Sequence, residues 1–126
     1  MRLILTRSIV LREYCGYENI FPLEVIKKAA RKALGGLGNL IRNPFKYPFT
    51  ILRKIPLTAP GGAGRAIFLI QTRDNDAVLV LLRLKNDKLI GNNISLHNKR
   101  LIILLKSNLD MILEDLGNGS YEEFGL

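Results

Sequence analysis

The chain has 126 residues, with 19 Lys and Arg against 11 Asp and Glu, a formal net charge of +8. That length fits one domain of the common size, roughly 100–150 residues, and excludes two full enzyme domains. Apolar residues at 48% mark a chain that can bury a core, and one Cys with one His excludes a zinc site of about four N and S ligands.

In chain order, Arg2 to Thr6 predicts a short strand, rich in Leu and Ile. Ser8 is placed to cap a short helix through Tyr14, ended by Gly16. Asn19 to Leu34 predicts a helix. Pro22 suits its first turn, and Leu23, Ile26, Ala30, Ala33 and Leu34 recur at the three-to-four spacing of one apolar face. Gly35 to Asn39 stops it. Asn43 to Pro48 reads as a loop. Ile51 to Leu57 predicts a strand, pushed toward an edge by Pro56. Thr58 to Gly64 reads as a turn-rich connection. Arg65 to Arg73 and Ala77 to Lys85 form a hairpin around Asp74–Asp76. Asn86 to Asn93 reads as a loop. Ser95 then opens a long helix to about Leu116, with an apolar stripe of Leu101, Leu105, Leu109, Ile112 and Leu116. The last residues, Ser120 to Leu126, read as a short acidic tail. The sum is an α+β domain over 1–116, a small antiparallel sheet with N-terminal helices and a long C-terminal helix, and a tail at 117–126.

Charge is unevenly spread. Residues 1–106 hold all 19 basic residues and six acids, while residues 107–126 hold five acids and no base. Such a basic body points to a phosphate-rich or acidic partner; the ordinary alternative is a solvated surface. No apolar stretch is long enough for a signal segment or a membrane span, so a cytoplasmic protein is expected. Cys15 is expected to be a half-buried free thiol, with no His nearby in sequence to activate it.

No phosphate-loop, G-x-S-x-G or H-E-x-x-H motif occurs. The glycines of Gly61-Gly62-Ala63-Gly64 precede a strand, so no helix dipole backs them. What stands out is a group of cations on the predicted sheet. Arg53 and Lys54 lie on the first meander strand, Arg65 opens the second, and Arg83 and Lys85 close the third. Hairpin pairing brings Arg65 beside Arg83 and Lys85. Converging cations must be solvated, paired or bound to an anion, and phosphate is the natural anion where acids are scarce. Basic side chains alone can promote RNA cleavage by the neighbouring 2′-hydroxyl.

The ordered pattern resembles the RelE/ParE superfamily of bacterial toxins, in particular its HigB-like RelE branch. The resemblance rests on Leu3-Ile4-Leu5-Thr6-Arg7, the helix from Pro22 to Leu34, and Ile51-Leu52-Arg53-Lys54-Ile55. It continues through Gly61-Gly62-Ala63-Gly64-Arg65, Leu84-Lys85-Asn86 and Asn93-Ile94 before the last helix. It implies a microbial RNase-like fold, a curved sheet with helices on one side. It also implies the toxin of a type II toxin–antitoxin system, a ribosome-dependent mRNA endonuclease that inhibits translation. Its partners would be a cognate antitoxin, the ribosome and mRNA, with no membrane, metal or small-molecule cofactor. Carried over by position, Arg65, Lys54 and Lys85 are the expected catalytic residues, with Arg53, Arg83 and Arg73 binding RNA. The chain departs from the pattern in three places: no Lys in Pro60 to Gly64, no aromatic on the third strand near the site, and no Tyr or His at the C-terminal catalytic place. Tyr121 falls beyond the last helix, and His97 opens it. Two other readings remain: a non-catalytic toxin-fold binding module or ParE-like gyrase inhibitor, and a general RNA binder using Lys27, Lys28, Arg31 and Lys32.

Overall fold

A computed structural model describes residues 1–41, 47–87 and 99–126. Strand β1 (Arg2–Thr6) leads into a three-residue helix α1 (Arg7–Ile9) that widens into a π-turn over Val10–Tyr14. Helix α2 (Leu23–Leu34) follows, then β2 (Asn39–Ile41), β3 (Thr50–Ala59), β4 (Gly62–Gln71) and β5 (Asp76–Leu84). Helix α3 (Lys99–Asn118) and strand β6 (Tyr121–Gly125) complete the chain. The six strands form one sheet in the order β2-β3-β4-β5-β1-β6.

The sheet is mixed, which corrects the all-antiparallel expectation. β1 runs parallel to β5, with Leu3 opposite Ala77 and Ile4 opposite Val78. A parallel neighbour needs a long crossover rather than a tight turn. Here everything from α1 to β4 supplies it. The expected acidic tail is also corrected in part. Tyr121 to Gly125 pairs antiparallel with β1 along its whole length, from Thr6↔Tyr121 to Arg2↔Gly125. The charged pair Glu122 and Glu123 suits this position, because charges on an outer strand discourage pairing with another chain.

The meander is longer than predicted. β3 and β4 pair continuously from Thr50↔Gln71 to Ala59↔Gly62, so the turn-rich connection shrinks to Pro60 and Gly61. Pro56 sits where β2 no longer flanks β3, since β2 reaches only Leu52, Arg53 and Lys54. Its missing N–H therefore costs no ladder bond on that side. At the other end of the hairpin, Asn75 takes the left-handed conformation (φ 57) and Asp76 already belongs to β5.

Both long helices stop in the same way. Leu37 N–H bonds Lys32 C=O and Gly36 N–H bonds Ala33 C=O; Ser120 bonds Asp115 and Gly119 bonds Leu116 in the equivalent places. Gly36 and Gly119 have φ of 83° and 71°, the left-handed state this ending needs. α1 starts at Arg7 with no side-chain cap from its own flank; the Ser8 N–H is instead held by the Asp115 carboxylate of α3 at 2.8 Å. Ser95 and His97 lie outside the described residues.

The helices occupy opposite faces. Strand parity puts Leu5, Leu57, Gly64, Leu84 and Phe124 on one face, and α2 crosses it. Its Lys27 ammonium stands 5.6 Å from the Phe124 ring, and Lys28 and Ala29 line a small pocket together with Pro56 and Leu57. The other face carries Ile4, Leu52, Ile67, Leu69 and Val78, all buried, under the Leu101, Leu105, Leu109 and Ile112 stripe of α3. Helices on both faces differ from the one-sided arrangement expected. Each such buried side chain contributes about 1.5–3 kcal/mol. Cys15 is exposed, not half-buried. Among the described residues no helix is long and apolar enough to cross a membrane.

Candidate nucleic-acid interface

β4 and β5 position the cations. Arg65, expected near Arg83 and Lys85, lies directly opposite Arg83, with Gly64 opposite Leu84. Gly64 is required there. A Cβ at this position would stand 2.7 Å from both the Arg83 carbonyl oxygen and the Phe21 ring. Lys54 pairs with Ile67, two residues from Arg65, and so lies diagonally next to Arg65 on the same face. Diagonal neighbours of this kind are about 7–8 Å apart, within reach of long side chains.

Two expected members stand elsewhere. Arg53, one residue along from Lys54, points to the opposite face, because side chains alternate along a strand. Arg73 sits beyond the far end of β4, roughly 25 Å along the strand direction from Arg65. Its guanidinium stacks on Phe49 at 4.6 Å from the ring centre. Lys85 follows the last residue of β5. Its N–H bonds Ala63 C=O at 3.0 Å, so it stays at the Arg65 end of the sheet.

Arg83 is already engaged. Its Nη1 bonds the Glu13 carboxylate and the Leu82 carbonyl, and Nε approaches Asp87 at 3.8 Å. Glu13 comes from the π-turn and is 1% exposed. Its Oε1 also accepts the Leu82 N–H at 3.1 Å. Asn108 of α3 donates to the Val80 carbonyl at 2.8 Å. The pairing explains both contacts. β1 accompanies β5 only as far as Val78, and β5 carries an irregularity opposite Ile67/Phe68 where Val80 is the extra residue. Glu13 and Asn108 take the place of the missing strand. Burial pushes the Glu13 carboxyl above its ordinary range, opposed by the Leu82 N–H and by Arg83. Sequence reading missed Glu13 because 70 residues separate it from Arg83, and a single Glu in a basic segment carries no local signal.

Arg65 is different. Its Nη1 is buried and has no hydrogen-bond partner among the described residues. An unmatched guanidinium donor costs about 1–3 kcal/mol, which a bound anion would recover. At the same end of the sheet but on its other face, where β3 turns into β4, a cavity of about 460 Å³ opens between Ile20, Leu84 and the bare backbone of Gly61 and Gly62, with Lys85 and Asn86 on its wall.

Compared with known protein families, characterised proteins and solved structures, the chain matches none of them.

Proposed function

We propose that Arg65, Lys54 and Lys85 form a phosphate-binding surface for RNA. On this reading the chain is the toxin of a type II toxin–antitoxin system, an endonuclease that cuts mRNA on the ribosome without a metal. The observation that carries the proposal is the buried, unmatched Nη1 of Arg65. It stands on a face where the neighbouring Arg83 is already neutralised by Glu13. A guanidinium presents paired N–H groups that match two phosphate oxygens.

In the reaction, the 2′ oxygen bonds to phosphorus as the bond to the 5′ oxygen breaks. The products are a 2′,3′-cyclic phosphate and a free 5′-hydroxyl, and the proton lost at the 2′ oxygen is balanced by the one gained at the 5′ oxygen. Negative charge gathers on the phosphorus oxygens in between. Arg65 and Lys54 stabilise it, and Lys85 serves the leaving oxygen. An acidic antitoxin segment covering this face would silence it.

One observation favours binding without cleavage. With Arg53 on the other face and Arg83 held by Glu13, among the described residues only Arg65 and Lys54 stand on this face of the strands with unengaged charge. A toxin-fold binding module or a gyrase inhibitor needs no more than that. Induced expression, with and without the neighbouring reading frame, separates the readings. The toxin reading expects growth arrest, transcripts shortened only when ribosomes translate them, and relief by Arg65→Ala. Arrest with intact transcripts and loss of supercoiling activity would move the assignment to gyrase. Unchanged growth would remove both.

A further inference from the structure

We propose that the cavity at the β3–β4 turn is a nucleobase site, in which Asn86 selects the base and Lys85 holds the attached phosphate. The proposal rests on the RNA reading above and gives that RNA a second point of attachment beyond Arg65.

The walls supply the first part. Ile20 and Leu84 flank the bare backbone of Gly62. A Cβ placed on Gly62 would lie 3.7 Å from Ile20 Cγ2 and 3.9 Å from Leu84 Cδ2. Two aliphatic side chains around a glycine floor make a slot for a flat apolar face, which every nucleobase has. The cavity's volume of about 460 Å³ suits a nucleoside, within the range of roughly 300–1,000 Å³ common for small-ligand sites.

The polar groups supply the second part. Neither Lys85 nor Asn86 makes a side-chain hydrogen bond or ion pair among the described residues. The main chain that carries them is nonetheless fixed, by Lys85 N–H to Ala63 C=O at 3.0 Å and Asp87 N–H to Leu84 C=O at 3.1 Å. An amide can donate and accept side by side, which is what discriminating base edges requires. A lysine ammonium binds phosphate whatever the base. Selection and holding are thus divided between adjacent residues on a pinned turn.

The test titrates the purified chain with the four nucleoside 5′-monophosphates and with inorganic phosphate, following amide signals by NMR and affinity by calorimetry. At least one nucleotide is expected to bind about tenfold tighter than phosphate, a difference of about 1.4 kcal/mol, and to move the signals of Gly61, Gly62 and Asn86. Lys85→Ala should weaken all four about equally. Asn86→Ala should narrow the spread among them, and Ile20→Trp should fill the slot and abolish binding. If Ile20→Trp disturbs the fold, Asn86→Ala at an exposed turn still decides the matter. Nucleotides that bind no better than phosphate, signals that move elsewhere, or an unchanged spread in Asn86→Ala would overturn the proposal. Growth arrest without nucleotide binding removes the pocket alone. Nucleotide binding without growth arrest removes the toxin reading and keeps the pocket.

Discussion

Arg2 and Arg65 stand on the same face of the sheet, near opposite ends of β5, and the fold treats them differently. Arg2 grips both oxygens of the buried Asp76, at 3.0 and 2.7 Å, and reaches Glu123 at 2.6 Å. The Asp76 bond, above all, raises the pKa of Arg2. Arg65 faces another arginine and keeps a buried nitrogen without a partner among the described residues. Arg83 belongs with Arg2, because Glu13 answers it from another element. Cations that the chain supplies with carboxylates are part of the scaffold. Among the described residues Arg65 is the cation with a buried N–H left unanswered, and so one with a place for something that is not protein. Counting positive residues along the sequence mixes the two kinds.

The largest expected effect lies on the scaffold side. Glu13→Ala would leave the Leu82 N–H unmatched and the mostly buried Arg83 charge with only the 3.8 Å approach of Asp87. Losing one partner of a buried pair costs about 3–5 kcal/mol, so the urea midpoint should fall steeply. An unchanged midpoint would mean that Arg83 finds another anion and that the contrast with Arg65 is false.

The contrast itself is tested by Arg2→Ala beside Arg65→Ala. The first strands the buried Asp76 carboxylate and should lower the melting temperature. The second should leave stability within about 0.5 kcal/mol or raise it slightly, since an unmatched buried donor disappears. It should weaken RNA binding by about tenfold or more and reduce the salt slope by about one. Equal melting losses with unchanged RNA affinity would erase the distinction.

A smaller effect concerns pH. The folded Glu13 carboxyl binds its proton more tightly than the unfolded one, because burial opposes its charge. Between the two values the native state holds the extra proton, so this group's contribution falls as pH rises through that window. Relative to Glu13→Gln, which cannot titrate, the wild type should gain stability as pH is lowered from 7 toward about 4.5, the ordinary value for the group. Urea midpoints of both proteins at two pH values check the sign. A wild type that loses ground on acidification would mean that the Arg83 attraction outweighs burial.

The parts of the fold written in local periodicity were legible. The face of α2, its glycine stop, the stripe of α3 and the pairing of Arg65 with Arg83 all follow from spacing over a dozen residues or so. The parts that depend on distant neighbours were not. Nothing near Leu3 announces a parallel partner at Ala77, and Tyr121 to Gly125 has the composition of a soluble tail because it lies at the edge of the sheet. β2 has only three residues directly after glycines, too few for an alternation to register. At the candidate site, the approach of Arg65 to Arg83 and Lys85 was readable from hairpin pairing, whereas Lys54 entered only through the family resemblance. The engagement of Arg83 was hidden, because its partner arrives from a π-turn at the other end of the sequence. The family resemblance places Arg53 with Lys54 as a basic pair, although adjacent strand residues face opposite ways.

The join between β1 and β6 also bears on how the protein is made. β1 is synthesised well before β6, and among the described residues its outer edge is covered by Tyr121 to Gly125. Sequence separations this large slow folding, because loop closure must precede any gain from the contact. A nascent chain can assemble the β3–β4–β5 meander early, from neighbours in sequence. It then waits with an open strand edge until β6 has left the ribosome. Reordering these segments so that β6 runs directly into β1, joined where Leu126 N–H meets Met1 C=O at 3.2 Å and opened at the tight turn at Asn75, would make β6 and β1 consecutive and shorten that wait.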